Sequence, residues 1–404
     1  MAAQRLLVDV HSHVYLPRYA SFLRSRTSAP RIFSRPNPNP LANGKSEERL
    51  LILDNEPSVG RPIGPQYWDR EEKLKFMDRH GIDISIISSA NPWLDFLPAS
   101  TAHELARELN TDLETYCSTA PSLASAPSLK RLYGFGLLPL VTFASMTSLL
   151  DTIDQILTLP HLRGIIMGTK GVGRGLDDPA LEPVWHVLAQ SGLVVFLHPH
   201  YGVDGQAWGE QENGHVLPLA LGFPFETTTA ITRMILSGVF DRHPTLHVLL
   251  AHSGGTLPLL SSRLASCIAH DPIVASRLQH DARHYLGKLY FDAVAYGAEE
   301  LGFVSDAIGR AGAFTNPNPN PSEGEGVVGH TANSRGVGLE VRRIVGSARM
   351  LFGTDHPFFP PLEETERWMS VVENLDAIDG VDGWGQEEKD AVRGGNALKL
   401  FGLS

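Results

Sequence analysis

Cysteine is nearly absent: Cys117 and Cys267 are the only two in 404 residues. Far apart, and each within an expected helix, they exclude a disulfide scaffold and a cysteine-built zinc knuckle, and they fit a reducing compartment. Long apolar runs are missing as well. No stretch approaches a membrane span, and the N-terminus has no basic region followed by an apolar core. The expectation is a cytoplasmic protein with no membrane partner. Positive charge is in short supply, with 34 Lys and Arg against 45 Asp and Glu and a net charge of −11. That balance disfavours nucleic acid as the main partner and leaves an anionic small molecule open, since a local metal or arginine can reverse the sign at one site. A glycine-rich phosphate loop after the first expected strand is also lacking, which argues against an open doubly wound sheet.

What is present is a chain of 42% hydrophobic and 20% charged residues, ordinary for a globular protein with a sizeable core. Apolar, β-branched runs alternate with helical patterns. Strands are expected at Leu6–Val10, Ile82–Ser88, Leu132–Leu137, Gly164–Met167, Leu193–His198, Leu246–His252, Lys288–Asp292 and Met350–Gly353. Helical periodicity falls between them, as at Trp68–His80, Ala102–Cys117, Leu181–Gln190, Glu226–Asp241 and Leu257–Ala269, and again at Glu387–Phe401. About eight such alternations predict an α/β fold, a closed (β/α)8 TIM-like barrel, as one domain over 1–404. Two stretches break the pattern. Residues 15–66 hold Pro36-Asn37-Pro38-Asn39-Pro40 and little periodicity, and read as an irregular excursion over the barrel mouth. Residues 316–338, with Asn-Pro three times and then many glycines, cannot bury enough apolar surface to order themselves and read as a mobile loop.

The chemistry collects at strand ends. Asp9-Val10-His11-Ser12-His13 closes the first apolar run. Side chains two apart on a strand project the same way, so His11 and His13 form half of a transition-metal site. Strand five runs into His198-Pro199-His200, strand six into His252-Ser253-Gly254-Gly255, and strand eight into Thr354-Asp355-His356-Pro357. The C-terminal ends of all strands surround one mouth of a barrel, so these residues converge although they are far apart in sequence. Taken singly, each histidine reads equally well as a structural one.

This order of ligand candidates resembles the amidohydrolase superfamily, in the branch typified by aminocarboxymuconate semialdehyde decarboxylase. Longer phrases are similar to the fungal isoorotate (uracil-5-carboxylate) decarboxylases. They are His198-Pro199-His200-Tyr201-Gly202, Gly214-His215-Val216-Leu217-Pro218-Leu219-Ala220-Leu221-Gly222-Phe223-Pro224 with Glu226-Thr227-Thr228, Ala251-His252-Ser253-Gly254-Gly255-Thr256-Leu257-Pro258, and Gly353-Thr354-Asp355-His356-Pro357-Phe358-Phe359-Pro360-Pro361. The resemblance implies His11, His13, His198 and Asp355 as ligands of one divalent metal, zinc first and manganese second, a donor set that suits either ion. It implies His252 and Asp355 as catalytic residues, Asp355 as the proton donor to the ring carbon, a role that asks for a raised pKa. It further implies Asn91, Arg263 and Phe358 as substrate-binding residues. Their bland alternatives are a turn residue, a solvated helix face and core.

Two departures bear on the reading. Superfamily members with two metals bridge them through a lysine at the end of strand four, whereas Lys170 lies beyond that place, which favours one metal. The muconate branch carries an arginine in the excursion after strand one, and Arg49 is the nearest candidate by position. His356 stands where muconate enzymes show tyrosine, which favours the pyrimidine substrate. The expected activity is therefore metal-dependent decarboxylation of uracil-5-carboxylate to uracil, with a homodimer as the family's usual state. Two other enzyme readings remain, a decarboxylase of an ortho-hydroxybenzoate such as a methylsalicylate and a hydrolase of a lactone or cyclic amide. A non-catalytic barrel would require a lost ligand, and none is missing.

Overall fold

The computed structural model describes residues 5–37, 46–53, 60–200, 213, 216–315, 338–361 and 367–403. Eight parallel strands pair in chain order: β1 (Val8–Val14), β2 (Ile84–Ser89), β3 (Leu132–Leu137), β4 (Leu162–Met167), β5 (Val194–Leu197), β6 (Val248–Leu250), β7 (Tyr290–Asp292) and β8 (Met350–Leu351). Each falls on one of the expected runs. The ring closes where the chain beyond β8 meets β1. There Val10 N–H donates to Phe352 O (3.0 Å), Asp355 N–H to His11 O (2.8 Å) and His13 N–H to His356 O (2.7 Å). The result is the expected (β/α)8 barrel.

Beyond β1 and β2 the strands are largely apolar along both faces because both are covered. Ile165, Ile166, Val194, Val195, Phe196, Leu249, Leu250 and Phe291 are essentially inaccessible. Where two strands approach closest, only glycine fits: a Cβ on Gly164 would stand 2.3 Å from the Val194 carbonyl oxygen. One boundary differs from the expectation in a way that matters. β1 runs on to Val14, buried throughout, so His11 and His13 sit inside the strand rather than beyond its end. Polar residues that face a ligand group instead of solvent do not terminate a strand.

The excursion over 15–66 is more regular than expected. It contains helix α1 (Pro17–Arg24) and a three-stranded antiparallel sheet of Arg31–Pro36, Ser46–Leu51 and Arg61–Ile63. Its alternation is hidden in the sequence because ion pairs, not apolar residues, line much of it: Arg35 to Glu47 at 2.8 Å and Arg24 to Glu48 at 2.6 Å. Among its described residues, Ile32, Leu50, Leu51 and Ile63 supply a buried apolar underside. The Asn/Pro/Gly-rich loop expected at 316–338 lies, but for Gly338, outside the described residues. No helix among the described residues is long and apolar enough to cross a membrane.

The outer helices include α2 (Arg70–His80), α3 (Ala99–Ser118) and α4 (Leu257–Ala269). α2 starts on an Asp69 side chain that accepts from Glu71 N–H and stops at Gly81, whose φ of 68° lies in the left-handed region. In α3 the buried Asn110 does the work of a strand neighbour. Its Oδ1 accepts from Leu137 N–H (2.7 Å) and its Nδ2 donates to Leu137 O (3.1 Å), completing the end of β3. Asn110→Ala orphans both groups, and a loss of about 2–3 kcal/mol is expected in urea unfolding. A loss below about 0.5 kcal/mol, the scale of an ordinary surface change, would refute that account.

Candidate metal centre

The tertiary fold brings four expected ligands together. His11 and His13 come from within β1, His198 follows β5 and Asp355 follows β8, and one donor atom from each lies within 4.8 Å of all the others. All four residues are buried. His11 Nε2 and His13 Nε2 are 3.1 Å apart, and each is 3.4 Å from Asp355 Oδ1.

The other ring nitrogens define what those atoms are. His11 Nδ1 donates to Asp292 Oδ2 (2.6 Å), because a carboxylate only accepts. His13 Nδ1 donates to Ser88 Oγ (2.9 Å), whose own proton goes to Ser12 O (3.4 Å). His198 Nδ1 donates to the Pro199 carbonyl (2.7 Å), and its Nε2 has no partner. Were all three imidazoles neutral in this tautomer, they would aim lone pairs at one another and at a carboxylate. Buried acceptors without a donor are costly, so the donor set fits a cation.

Electrostatics of the chain alone point the same way. Burial opposes a charge on His11, yet Asp355 and Asp292 together outweigh it and lift this histidine to about 10. A proton on His11 is the smallest cation the group can take. Burial, helped by the charge on His11, pushes His13 down to about 4 and drives His198 well below the usual histidine range. For Asp355, burial raises the carboxyl, but the charge on His11 and hydrogen bonds from His11, His13 and His252 hold it well below the ordinary range. The raised pKa expected for a proton donor is thus corrected: histidines surround the carboxylate, and they stabilise its ionised form.

His252 stands beside the group, its Nε2 3.9 Å from Asp355 Oδ2 and its ring 5.1 Å from that of His11. Its Nδ1 has no partner. His252, Ser253, Tyr296, Asp355 and Phe359 all hold positive φ angles between 51° and 62° after β6, β7 and β8, a strain that side chains other than glycine adopt only when surroundings force it. Asp292 does much of the forcing. Its carboxylate accepts from His11 Nδ1, from His252 N–H (3.0 Å), from Ser253 N–H (2.8 Å) and from Val294 N–H (3.2 Å). Sequence reasoning misses Asp292. Its one signal is a carboxylate closing strand seven, at the same mouth as the other ligands.

The expected substrate-binding residues divide. Phe358 lies at the group, its ring 5.4 Å from that of His13. Asn91 is buried after β2, but its Nδ2 donates to His200 O (2.6 Å), so part of its amide ties the end of β2 to the end of β5. Arg263 is not brought in. On α4 the residues facing the barrel are Leu257, Pro258, Ser261, Ala265 and Ile268, and Arg263 projects from the exposed opposite face. Arg49 is spent within the small sheet on Glu47 (2.9 Å) and the Gly60 carbonyl. A different arginine from that sheet reaches the mouth: the Arg61 guanidinium lies 4.4 Å from the centre of the Phe358 ring and donates to Tyr15 Oη (3.1 Å). Lys170 is half exposed and faces Asp95 at 3.5 Å, away from the four ligands. A cavity of about 490 Å3 opens beside it, lined by Asp95, Arg174, Glu226 and Arg233 among others, and none of the four ligand residues borders it.

A metal ion needs the lone pair that the His11 proton holds, so uptake must release that proton. With His11 near 10 in the metal-free chain, apparent affinity is expected to rise with pH from neutrality towards that value, by up to about tenfold per unit. Chelator competition across pH, with calorimetry in two buffers to count protons, checks it. Affinity independent of pH, with no proton released, would contradict the assignment.

Comparison with known proteins agrees with this geometry. A family model described as Amidohydrolase matches residues 8–310. The crystal structure of Metarhizium anisopliae IDCase in apo form superposes with a TM-score of 0.80 at 38% identity, covering 98% of this chain and 97% of that one. The 2-amino-3-carboxymuconate-6-semialdehyde decarboxylase of Dictyostelium discoideum is 27% identical over 98% of this chain and 92% of its own length. A dihydroxybenzoic acid decarboxylase from Polaromonas, whose structure holds bound manganese, shares the fold at 18% identity, with a TM-score of 0.62 and 99% and 98% of the two chains covered. The chain belongs to the amidohydrolase family, and the curated relatives it matches are named decarboxylases.

Proposed function

We propose that this enzyme decarboxylates uracil-5-carboxylate, releasing CO2 and leaving uracil. The observation that carries the substrate is the likeness to IDCase, which reads as isoorotate decarboxylase, at 38% identity over nearly the whole chain. Phe358 beside His13 adds a flat apolar wall of the kind a pyrimidine ring packs against.

Direct loss of CO2 from an sp2 carbon would leave an electron pair in the ring plane, where resonance cannot spread it. Protonation of C5 first avoids this. The C5–C6 π pair takes the proton, C5 becomes tetrahedral, and the pair from the breaking carbon–carboxylate bond then restores the C5–C6 double bond as CO2 departs. His11, His13, His198 and Asp355 would hold a divalent cation, zinc or manganese, and that ion would supply positive charge to an anionic substrate. Asp355 delivers the proton to C5. Because its own surroundings keep it ionised, the proton comes to it from His252, 3.9 Å away. Asn91 offers its remaining amide groups to the pyrimidine edge, and Arg61 adds positive charge over Phe358.

Arg263 enters this reading only through a homodimer. Exposed on α4 beside Leu259 and Leu260, which are 67% and 39% exposed, it would meet a bound carboxylate only from a partner copy packed through that face. The partner's Arg263 would then complete the site.

Two experiments test these statements. Metal-loaded enzyme incubated with uracil-5-carboxylate is expected to yield uracil and CO2 by chromatography and carbonate trapping, and Asp355→Asn to lower kcat by about 10²–10⁴-fold. No uracil from fully loaded enzyme overturns the substrate. Parallel runs with an ortho-hydroxybenzoate and with a lactone or cyclic amide identify the two other readings by their products. Mixing Asp355→Asn with Arg263→Ala chains should restore activity that neither has alone, since a mixed dimer keeps one intact site. An unchanged Arg263→Ala enzyme, or no restoration in mixed dimers, removes the shared-site assignment.

A further inference from the structure

A lysine is buried directly behind the metal centre. Lys73 lies on the inner face of α2 with Phe76 and Met77, where an apolar residue is the usual occupant, and its side chain is 4% exposed. Its ammonium donates to Ser12 Oγ and to His356 Nδ1 (3.3 Å) and faces Asp9 Oδ2 at 3.9 Å. Each contact has a place in the ligand frame. Ser12 sits between His11 and His13 on β1, and His356 follows Asp355. Asp9, fully buried, accepts from His11 N–H (3.1 Å), Thr354 N–H (3.1 Å) and Thr354 Oγ1 (2.9 Å), so it holds the backbone on both sides of the closing seam. The Ser12 hydroxyl passes its own proton across that seam to His356 O (3.3 Å).

Nothing in the decarboxylation chemistry uses these groups, yet they are expensive to bury. Burial lowers Lys73 to about 8, with Asp9 opposing, so the side chain still carries its charge at neutral pH. Phe76 stacks on the His356 ring with centroids 3.7 Å apart and closes the compartment from the helix side. A buried charge retained in such a place needs partners, and here every hydrogen-bonding or charged one belongs to β1 or to the turn after β8.

We propose that Lys73 is a positioning residue for the metal centre, its ammonium gripping Ser12, His356 and Asp9 so that the ligands of β1 and Asp355 keep one geometry across the barrel seam. This rests on the reading of the four-residue group as a metal site, and on no particular substrate. Asp355 is the ligand most dependent on such support. It holds a φ of 56°, with its N–H on the His11 carbonyl, and no regular strand carries it. Outer groups that orient ligands typically change metal affinity by about 10–100-fold when removed.

The test compares the parent with Lys73→Met, Ser12→Ala and the double variant Asp9→Asn/Lys73→Met. Metal dissociation constants come from chelator competition with zinc and manganese, the visible band of cobalt-loaded protein reports ligand geometry, and thermal unfolding of metal-free protein reports stability. Lys73→Met is expected to weaken metal binding by about 10–100-fold and to shift the cobalt band, and Ser12→Ala to do so more weakly. The double variant, which removes both buried ionisable groups and carries the test if Lys73→Met fails to fold, should regain stability without regaining affinity. Affinity within about twofold of the parent for Lys73→Met, or affinity restored along with stability in the double variant, would reduce Lys73 to a counter-charge for Asp9 and overturn the proposal. A parent chain that takes up no metal overturns the metal reading as well, and that failure shows in the parent alone.

Discussion

Three imidazole lone pairs and a carboxylate, all withdrawn from water, face one point at the mouth of this barrel, and the arrangement is tenable only with positive charge among them. The surrounding structure serves that constraint. Asp292, Ser88 and the Pro199 carbonyl each take the Nδ1 proton of one histidine, which turns every Nε2 inward. The metal-free chain answers with a proton on His11, drawn there by two carboxylates against the penalty of burial. Ion binding and protonation are therefore alternatives at a single place.

Barrel closure and ligand assembly are the same event. The hydrogen bonds that join the turn after β8 to β1 run through His11, His13, Asp355 and His356, so a barrel that fails to close also fails to form its site. This explains why so many polar residues are buried at the seam and few elsewhere in the sheet. It also explains the run of left-handed residues after β6, β7 and β8. Hydrogen bonds to Asp292 and to the His11 carbonyl over-determine those turns, and the strain is held where chemistry requires a fixed geometry.

Legibility in the sequence follows the period of the pattern. Strands covered on both faces read as apolar runs, and all eight are legible to within a few residues. His11, His13, His198 and Asp355 are legible because a barrel puts every strand end at one rim. The small sheet after β1 is not, since Arg35 pairs with Glu47 across it and Arg24 of α1 pairs with Glu48 on it, and such charged positions erase the alternation that marks a strand. Asp292 escapes notice because a lone aspartate at a strand end looks like any other. Lys73 is hidden by its place in a charged stretch, Arg70-Glu71-Glu72-Lys73, where exposure is the default.

Composition and periodicity by themselves determined a parallel α/β barrel, a low-cysteine chain without a membrane-length apolar run, and the residue types of a nitrogen and oxygen metal site. Those properties depend on local pattern, and local pattern survives in one dimension. Which arginine faces the site was decided only by the fold: Arg61 stands over Phe358, Arg49 is spent inside its own sheet, and Arg263 points away from its own barrel. So was the charge state of Asp355, because a carboxyl's pKa depends on groups that come near it through space, and here the histidines that hold it ionised stand over three hundred positions away along the chain, or about a hundred in the case of His252.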